Sequence, residues 1–374
     1  MKSVVIAGYA RTPFCFAKKG ELIKVRPDDL AATAVKGVIQ QTGIDANELE
    51  DLVLGCAFPE GEQGLNIARL VVLLAGLPQS VAGVTVNRFC GSSMQAIHQA
   101  AGAIQMNAGH AFICAGVESM TRVAMGGFNP SPNPNLYKTM PQAYMSMGQT
   151  AENLAKQYHI SREQQDAFAV ASQHKAAAAQ AAGNFADEIV AVGNVTQDGC
   201  IRADTSLATL ATLKPAFEVN GTVTAGTASP LTDGAAATLV CSEEFAKAHG
   251  LPILARIKSI AVAGCAPEIM GIGPVPATLK ALQRANLSIS DLDIIELNEA
   301  FAAQSIACID DLKLDPVKIN LDGGAIALGH PLGASGARIT GKAAALLKRE
   351  GKQFALATQC IGGGQGIATI LEAV

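Results

Sequence analysis

The sequence contains no tryptophan, and only 16% of its 374 residues are charged. A charged fraction this low excludes the composition of a disordered chain. With 28 basic and 32 acidic residues, the formal net charge of −4 gives no general electrostatic reason to bind nucleic acid. Hydrophobic residues are abundant, at 49%, and there are 37 glycines. This composition is typical of a tightly packed α/β protein, and the length suits two or three domains.

Long apolar runs are also missing. The longest one, residues 70–77, is far shorter than the ~20 residues that a membrane helix needs. Near the N-terminus, residues 4–10 are too few for the core of a signal peptide, and Arg11 interrupts them. We therefore expect a soluble, cytoplasmic protein.

The sequence has no closely spaced cysteine or histidine pairs. Its nine cysteines form an odd, scattered set without a Cys-x-x-Cys motif, at positions 15, 56, 90, 114, 200, 241, 265, 308 and 360. This set fits a reducing compartment, in which most thiols are small buried hydrophobic groups. No two of the six histidines are three or four residues apart, so the sequence predicts no metal site.

Short apolar segments alternate with helical segments near both ends of the chain, which predicts parallel sheets covered by helices. The predicted strands are residues 4–7, 52–54, 84–86, 112–115, 255–262, 294–297, 317–320 and 354–358. The predicted helices include residues 30–41, 90–106 and 276–285. Residues 44–54 resemble residues 287–297 in pattern, which indicates a duplicated α/β unit.

The middle third of the chain differs in kind. A proline-rich stretch at residues 129–134 predicts a loop, and an alanine-rich helix is predicted after it at residues 161–182. We interpret this region as an insertion that acts as a lid or a binding loop.

The first segment with candidate chemistry is Val84-Thr-Val-Asn-Arg-Phe-Cys90-Gly-Ser-Ser-Met-Gln-Ala-Ile97. It predicts a strand, a tight turn and a helix that starts at the cysteine. Unpaired N–H groups at a helix start stabilise a thiolate, which makes Cys90 a candidate nucleophile. The alternative is that Cys90 only fills the start of a buried helix.

The second segment is the glycine-rich stretch Gly323-Gly-Ala-Ile-Ala-Leu-Gly-His330-Pro-Leu-Gly-Ala-Ser-Gly336, predicted between a strand and a helix. Pro331 restricts the backbone after His330, so the imidazole can be aimed at a thiol or at a thioester oxygen. A phosphate-binding loop is a weaker alternative, because the Walker Gly-Lys-Ser/Thr is absent. A structural turn with an incidental histidine also remains open.

The third segment is Thr358-Gln-Cys360-Ile-Gly-Gly-Gly-Gln-Gly366. Its glycines resemble a dinucleotide fingerprint, but the next residues, 367–371, predict a strand rather than the required helix. Taken alone, the segment predicts a tight hairpin with a buried cysteine.

These segments, together with Asn298-Glu-Ala-Phe-Ala302 and Gly116-Val-Glu-Ser119, resemble the thiolase family over the whole chain. The turn around Cys90 is more similar to degradative 3-ketoacyl-CoA thiolases than to biosynthetic acetoacetyl-CoA thiolases. The resemblance implies an α/β fold of two duplicated halves in a layered αβαβα core, with an inserted loop domain. The implied boundaries are residues 1–118 for the N-terminal half, completed by about 227–251, then 119–226 for the insertion and 252–374 for the C-terminal half.

The resemblance also implies roles for individual residues. Cys90 would carry the acyl group, His330 would activate it, and Cys360 would be the acid/base of carbon–carbon bond cleavage. Asn298 would hold a water beside His330, and the backbone N–H groups of Cys90 and Gly362 would form an oxyanion hole. The implied coenzyme A contacts and pocket residues are Arg202, Ser229, Phe217, Met147 and Phe301.

The implied reaction uses coenzyme A as a substrate and requires no metal or other cofactor. The implied assembly is a homodimer or homotetramer, with a β-oxidation hydratase/dehydrogenase subunit as a further expected partner. A biosynthetic acetyl-CoA acetyltransferase and a thiolase-like lipid-binding protein are the alternative interpretations. A Cys-His hydrolase would not need Cys360, and a ketosynthase usually pairs its cysteine with two histidines.

Overall fold

The computed structural model describes residues 2–374. Its strands are β1 (Val4–Arg11), β2 (Cys15–Phe16), β3 (Asp51–Gly55), β4 (Ala82–Val86), β5 (Ala111–Ser119), β6 (Thr232–Ser242), β7 (Ala255–Gly264), β8 (Ile294–Leu297), β9 (Phe354–Ile361) and β10 (Gln365–Glu372). Its α-helices are α1 (Pro27–Thr42), α2 (Ile67–Leu74), α3 (Ser92–Gln105), α4 (Pro134–Thr139), α5 (Met147–Gln157), α6 (Arg162–Ala181), α7 (Leu207–Ala211), α8 (Glu243–Ala248), α9 (Pro274–Ala285), α10 (Ala302–Leu312), α11 (Ala325–Leu328) and α12 (Leu332–Glu350).

The strands form one sheet in the order β4-β3-β5-β6-β1-β7-β10-β9-β8, and β2 pairs with β6. In the first half, β3 pairs in parallel with β4 and β5, whereas β6 is antiparallel to β5 and β1. The second half repeats these pair types, with β8 parallel to β9 and β10 antiparallel to β9 and β7. The two halves join where β1 pairs with β7. The duplication is therefore confirmed in the strand pairing.

Helices cover the sheet in layers. Helices α1 and α2 share a hydrophobic cluster with β1, β3, β5 and β6 on one outer side. Helices α9 and α10 share another cluster with β7, β8, β9 and β10 on the other outer side. Between the halves, α3 and α12 pack together and contact strands of both. This is the layered α/β arrangement that the sequence predicts.

Helix α12 is the most enclosed element of the middle layer. Nearly all of its residues from Leu332 to Leu347 are buried, so this part of the helix has no solvent-exposed face. Small residues allow its close packing, since a Cβ on Gly336 would lie 2.3 Å from the backbone nitrogen of Met94 in α3. The helix ends at Gly351, which has the left-handed φ of 61° that favours glycine at a helix C-terminus.

Most predicted elements are confirmed, and most of the strands are longer than the sequence indicates, whereas the helices predicted at residues 90–106 and 161–182 are slightly shorter. The predicted strand at residues 84–86 lies in β4, and the strand after the third glycine segment is β10. The helix predicted at residues 161–182 is α6, which begins after the capping residue Ser161. The helix predicted to start at Cys90 begins two residues later, at Ser92, with Gly91 as its cap.

Three sequence predictions are wrong in detail. The sheet is mixed rather than parallel, because inner strands such as β9 and β10 are joined by a hairpin instead of a crossover helix. Residues 317–320 are not a strand, because Pro316 starts a short 3₁₀ helix and only Ile319 makes a parallel bridge, to Ile295. The glycine segment before His330 therefore follows a 3₁₀ turn, and it also contains the short helix α11.

Strand β6 was not predicted, although it lies inside the sheet and is buried along its whole length. Its first half is Thr-Asp-Gly-Ala-Ala-Ala, residue types that are weak strand formers on their own. Pairing with β5 and β1 on both sides determines its conformation instead.

A segment in the middle of the chain is tied to β1 by a buried ion cluster. Arg11 is fully buried and makes two hydrogen bonds to Asp198, of 2.7 and 2.8 Å, and one of 2.8 Å to Glu188. Lys342 of α12 also contacts Glu188, at 2.9 Å. These contacts join the middle segment to β1 and to α12, and each buried charge has a partner of opposite sign.

Candidate functional site

Cys90 lies in the tight turn between β4 and α3. The turn places Phe89 at a φ of 43°, a left-handed value that is unusual for a residue with a side chain. Ser92 holds the turn, because its Oγ accepts from the backbone nitrogen of Arg88 at 2.9 Å and donates to the carbonyl oxygen of Phe89 at 2.6 Å. The side chain of Gln359, at the end of β9, donates to the carbonyl oxygen of Cys90. The turn is thus fixed against the β9–β10 hairpin.

The thiol of Cys90 is almost completely buried. Burial raises the pKa of Cys90 to about 12, although a hydrogen bond from the backbone N–H of Gly362 lowers it and Glu118 raises it further. Burial thus opposes the stabilisation of a thiolate by the N–H groups at the helix start. A thiol with a raised pKa needs a base to take its proton before it can act as a nucleophile. The N–H group of Gly362 faces the sulfur of Cys90.

His330 lies between α11 and α12, and three polar groups hold it. Its backbone nitrogen donates to Oγ1 of Thr232 at 3.0 Å. Its Nδ1 lies 2.5 Å from Oγ of Ser335, and its Nε2 lies 3.4 Å from Nδ2 of Asn298. Burial, assisted by the charge of Arg338, lowers the pKa of His330 to about 3. The imidazole is therefore neutral at physiological pH and can accept a proton.

Asn298 is fully buried at the end of β8, in the Asn-Glu-Ala-Phe segment. Its Nδ2 faces the imidazole, and its Oδ1 has no hydrogen-bond partner among the described residues. A buried amide oxygen without a partner is costly, and a bound water or a substrate group would satisfy it. This geometry suits the water-holding role that the family resemblance implies.

Cys360 is fully buried in β9, just before the glycine turn of the β9–β10 hairpin. Burial raises the pKa of Cys360 well above its usual value, and the nearby Cys90 raises it further. The structure therefore brings the two cysteines into one site. Cys360 is a protonated thiol at rest, which is the state that a proton donor requires.

Glu118 connects the loop after β3 with the start of α12, which follows His330. Its buried carboxylate accepts from the backbone nitrogens of Ala57 at 2.8 Å and Gly333 at 2.9 Å, and from Nε2 of Gln63 at 2.8 Å. Leu332, two residues after His330, shares a hydrophobic cluster with Cys90. The imidazole itself bonds to Asn298 and Ser335 rather than to Cys90.

Four of the five predicted coenzyme A and pocket residues lie on one side of the cysteines. Met147 and Phe301 pack in the same apolar cluster as Cys360. Phe217 meets the edge of Phe301 with ring centres 5.9 Å apart, and the backbone nitrogen of Ser229 donates to Ala300 at 3.0 Å.

The fifth residue, Arg202, lies apart from this cluster. Its exposed guanidinium lies over the ring of Phe16, 4.9 Å from the ring centre. Phe16 belongs to β2, which pairs with Thr232, the residue that binds the backbone of His330. The structure thus shows no contact between Arg202 and the predicted pocket residues.

Family models match almost the entire chain. The model described as thiolase, N-terminal domain, matches residues 4–244, and the model described as thiolase, C-terminal domain, matches residues 251–373. The chain belongs to the thiolase family.

Individual thiolases are similar over their full length. The chain is 52% identical over 388 residues to proteins named 3-ketoacyl-CoA thiolase in Shewanella sp. (strain MR-7) and in Shewanella oneidensis, covering 100% of each chain. The crystal structure of human mitochondrial 3-ketoacyl-CoA thiolase is 38% identical, with a TM-score of 0.91 over 100% of this chain and 99% of that chain. A second structure of the human enzyme, in complex with CoA, has a TM-score of 0.92 at 38% identity and covers 98% of that chain.

As a thiolase, the protein is an acyltransferase. Among residues 2–374, no cluster of three or more His, Cys, Asp or Glu side chains has the arrangement of a metal site. No helix in the same range is long and apolar enough to cross a membrane.

Sequence reasoning missed three residues of this thiolase site, namely Ser335, Thr232 and Glu118. Thr232 and Glu118 bind segments that are 98 and 215 residues away in the chain. Glu118 lies in the Gly116-Val-Glu-Ser119 motif, but that motif gave no indication of its partners, and no local pattern marked Thr232. Ser335 lies inside the glycine segment, in the first turn of α12. Side chains of that turn can reach His330 just before the helix, and this position was the available signal.

Proposed function

We propose that this thiolase cleaves 3-ketoacyl-CoA with free CoA, giving acetyl-CoA and an acyl-CoA shortened by two carbons. The observation that carries the proposal is the pair of buried thiols, Cys90 and Cys360, joined in one site by the β9–β10 turn. A simple hydrolase needs one thiol, whereas cleavage of a carbon–carbon bond also needs a proton donor for the departing enolate. The 3-ketoacyl-CoA thiolases that are 52% identical support the same reaction.

In the first half-reaction, Nε2 of His330 takes the proton of Cys90, and the thiolate attacks the 3-keto carbon. The N–H groups of Cys90 and Gly362 stabilise the resulting oxyanion. The bond between C2 and C3 then breaks, which leaves the acyl group on Cys90 and releases the enolate of acetyl-CoA. The thiol of Cys360 gives its proton to the enolate carbon, while His330 and a water on Asn298 stabilise the enolate oxygen.

In the second half-reaction, the Cys360 thiolate takes the proton of an incoming CoA thiol. The CoA sulfur attacks the acyl-Cys90 thioester, and Cys90 leaves with the proton that His330 holds. Both cysteines and the histidine return to their starting protonation states. These steps use side chains and backbone N–H groups of this chain, one bound water, and CoA, which acts as a substrate.

The assay is the CoA-dependent loss of 3-ketoacyl-CoA by the purified protein, followed across several acyl chain lengths. We expect the wild-type protein to release acetyl-CoA and the Cys90→Ala variant to be inactive. Failure of the wild-type protein to cleave any chain length, or turnover by the Cys90→Ala variant, would contradict the proposal. The His159→Ala variant is the control, since this exposed histidine lies outside the site.

We also infer that residues 119–226 form the inserted CoA-binding domain between an N-terminal half at 1–118, completed by about 227–251, and a C-terminal half at 252–374. The inference is supported by the packing of Phe217 and Met147 beside the cysteines. Ser229 and Arg202 would bind the pantetheine arm and the nucleotide end. We expect Phe217→Ala to raise KM for CoA several-fold with little change in kcat, because this half-exposed ring would line the pocket and take no part in the reaction.

A homo-oligomer is proposed from the free edge of the sheet. Strand β4 is one of the two edge strands of the sheet, and Val84 on it is 41% exposed. Unpaired N–H and C=O groups on such an edge can pair with a second copy of the chain. We expect Val84→Lys to lower the molar mass measured by light scattering, whereas Val317→Lys, at an exposed position far from β4, leaves it unchanged. A monomeric wild-type protein would contradict the inference.

The remaining parts of the proposal concern the setting of the reaction. We place it in the cytoplasm, in fatty acid β-oxidation, where a hydratase/dehydrogenase subunit would supply the 3-ketoacyl-CoA. Co-purification of such a subunit with the tagged protein is the test, and purification of the protein alone from cells grown on fatty acids would count against a stable complex.

A further inference from the structure

The hydroxyl of Ser335 lies between the imidazole of His330 and a backbone carbonyl. Its Oγ is 2.5 Å from Nδ1 of His330 and 3.0 Å from the carbonyl oxygen of Pro331. Ser335 is 1% exposed and His330 is 4% exposed, so water does not compete for these bonds. Serine at this helical position commonly donates to the carbonyl four residues earlier.

A serine hydroxyl has one proton to donate. If that proton goes to the carbonyl oxygen of Pro331, the lone pairs of Oγ face Nδ1 and can only accept from it. The neutral imidazole then carries its proton on Nδ1, and Nε2 is left as the acceptor. The amide Nδ2 of Asn298, at 3.4 Å from Nε2, is a donor and suits the same tautomer.

We propose that Ser335 is a positioning residue that keeps the proton of neutral His330 on Nδ1, so that Nε2 is free to take the proton of Cys90. The proposal rests on the proposed function and assigns no contact between Ser335 and the substrate. When His330 holds two protons, the same Oγ still accepts from Nδ1, so the charged imidazole keeps its partner without movement of any heavy atom. A neutral hydroxyl thereby holds the imidazole in the required tautomer, as the carboxylate does in a Ser-His-Asp triad.

The ionisable groups around the imidazole come from four elements. Arg338, one turn further along α12, opposes protonation of His330. The Cys90 thiol comes from the β4–α3 turn, and Glu118 of β5 acts on Cys90 by its charge. Cys360 of β9 is a neighbour of Cys90. Ser335 is the group that touches Nδ1, and it does not titrate.

The first test is the tautomer itself. In protein labelled with ¹⁵N-histidine, and with the His330 signals identified by their loss in His330→Asn, we expect a protonated Nδ1 and an unprotonated Nε2 at pH 7. A protonated Nε2 in the wild-type protein would overturn the proposal. This measurement does not depend on whether any Ser335 variant folds.

The second test is alkylation of Cys90 by iodoacetamide in Ser335→Ala. We expect a rate at pH 7 that is about 10- to 100-fold below wild type, because a hydrogen bond to a group that becomes charged is lost. The difference in alkylation rate between Ser335→Ala and wild type should shrink as the pH rises to about 10, since hydroxide then replaces the histidine base. The Thr340→Val variant is the matched control, because it removes a buried hydroxyl on the same helix that bonds only to the carbonyl oxygen of Gly336.

Two outcomes would refute the role of Ser335. One is a wild-type alkylation rate in Ser335→Ala at pH 7. The other is a deficit that stays constant up to pH 10, which would indicate a general structural disturbance. Alkylation needs no acyl-CoA, so a failure of the protein to cleave 3-ketoacyl-CoA would count against the proposed function and leave this test intact.

Discussion

Gly333 controls the distance between the start of α12 and the strand ends that flank Cys90. A Cβ added at this glycine would lie 2.4 Å from the carbonyl oxygen of Val117, 2.7 Å from that of Gly55 and 2.9 Å from the Cα of Cys56. All three are backbone atoms, so no side chain can turn away to make room. In Gly333→Ala, the helix start must therefore move.

The size of the movement follows from these distances. An ordinary contact begins at 3.4 Å, so the methyl group is about 1 Å too close to the oxygen of Val117. The movement carries His330, three residues earlier, away from the cysteines and strains the bond between Gly333 and Glu118. A misplacement of about 1 Å costs roughly 10²-fold in rate, and overpacking costs about 1–3 kcal/mol of stability.

The measurement is kcat for thiolysis of 3-ketoacyl-CoA, together with a thermal unfolding curve. We expect Gly333→Ala to lose about 10²-fold in kcat and only a few degrees in Tm. Gly102→Ala is the matched control, because that glycine lies in the neighbouring helix α3 with no atom within 4 Å of the added Cβ. This control should be fully active and more stable by about 0.5–1 kcal/mol.

A kcat within threefold of wild type in Gly333→Ala would refute the reasoning. It would mean that the helix start adapts without moving the imidazole. A fully unfolded variant would also refute it, because the expected stability loss is too small to unfold the protein.

Three further predictions concern the cysteines, the histidine and the buried ion cluster. Cys360→Ala should still form acyl-Cys90 from an acyl-CoA, detected by mass spectrometry, while losing cleavage of 3-ketoacyl-CoA; equal loss of both steps would contradict the division of roles. The pKa of His330 is lowered to about 3 in the folded protein, so the unfolded chain binds a proton at this residue at a higher pH than the folded protein does. The free energy of unfolding should therefore fall as the pH is lowered from 6.5 towards 3. Denaturant titrations at pH 7 and pH 4 should show that the unfolding free energy of wild type falls by about 3 kcal/mol more than that of His330→Asn. Equal decreases in the two proteins would show that His330 titrates normally. Arg11→Met leaves the buried Asp198 without its partner and should cost about 3–5 kcal/mol of unfolding free energy, a value that a Tm within 2 °C of wild type would contradict.

The sequence motifs predict which residues react, but the protonation states of these residues depend on the fold. The strand–turn–helix around Cys90 was visible because its polar and apolar residues follow local rules. Its thiol was expected to have a lowered pKa, whereas burial by Ala57, Met120 and Leu332, all distant in sequence, raises it. The strand predicted at residues 317–320 does not form, because Pro316 starts a 3₁₀ helix there. Strand β6 could not be predicted, because alanines are weak strand formers.

The middle layer of the fold has a consequence for synthesis on the ribosome. Helix α12 fills the space behind strands of the N-terminal half, and β10, which lies between β7 and β9 inside the sheet, ends at residue 372. A nascent chain that has emerged as far as residue 250 therefore has a sheet whose inner face is covered only in part, by α3. The remaining apolar surface of this face stays exposed to chaperones and to self-association until α12 has been translated. A premature stop before the end of α12 would therefore leave the inner face of the N-terminal strands incompletely covered.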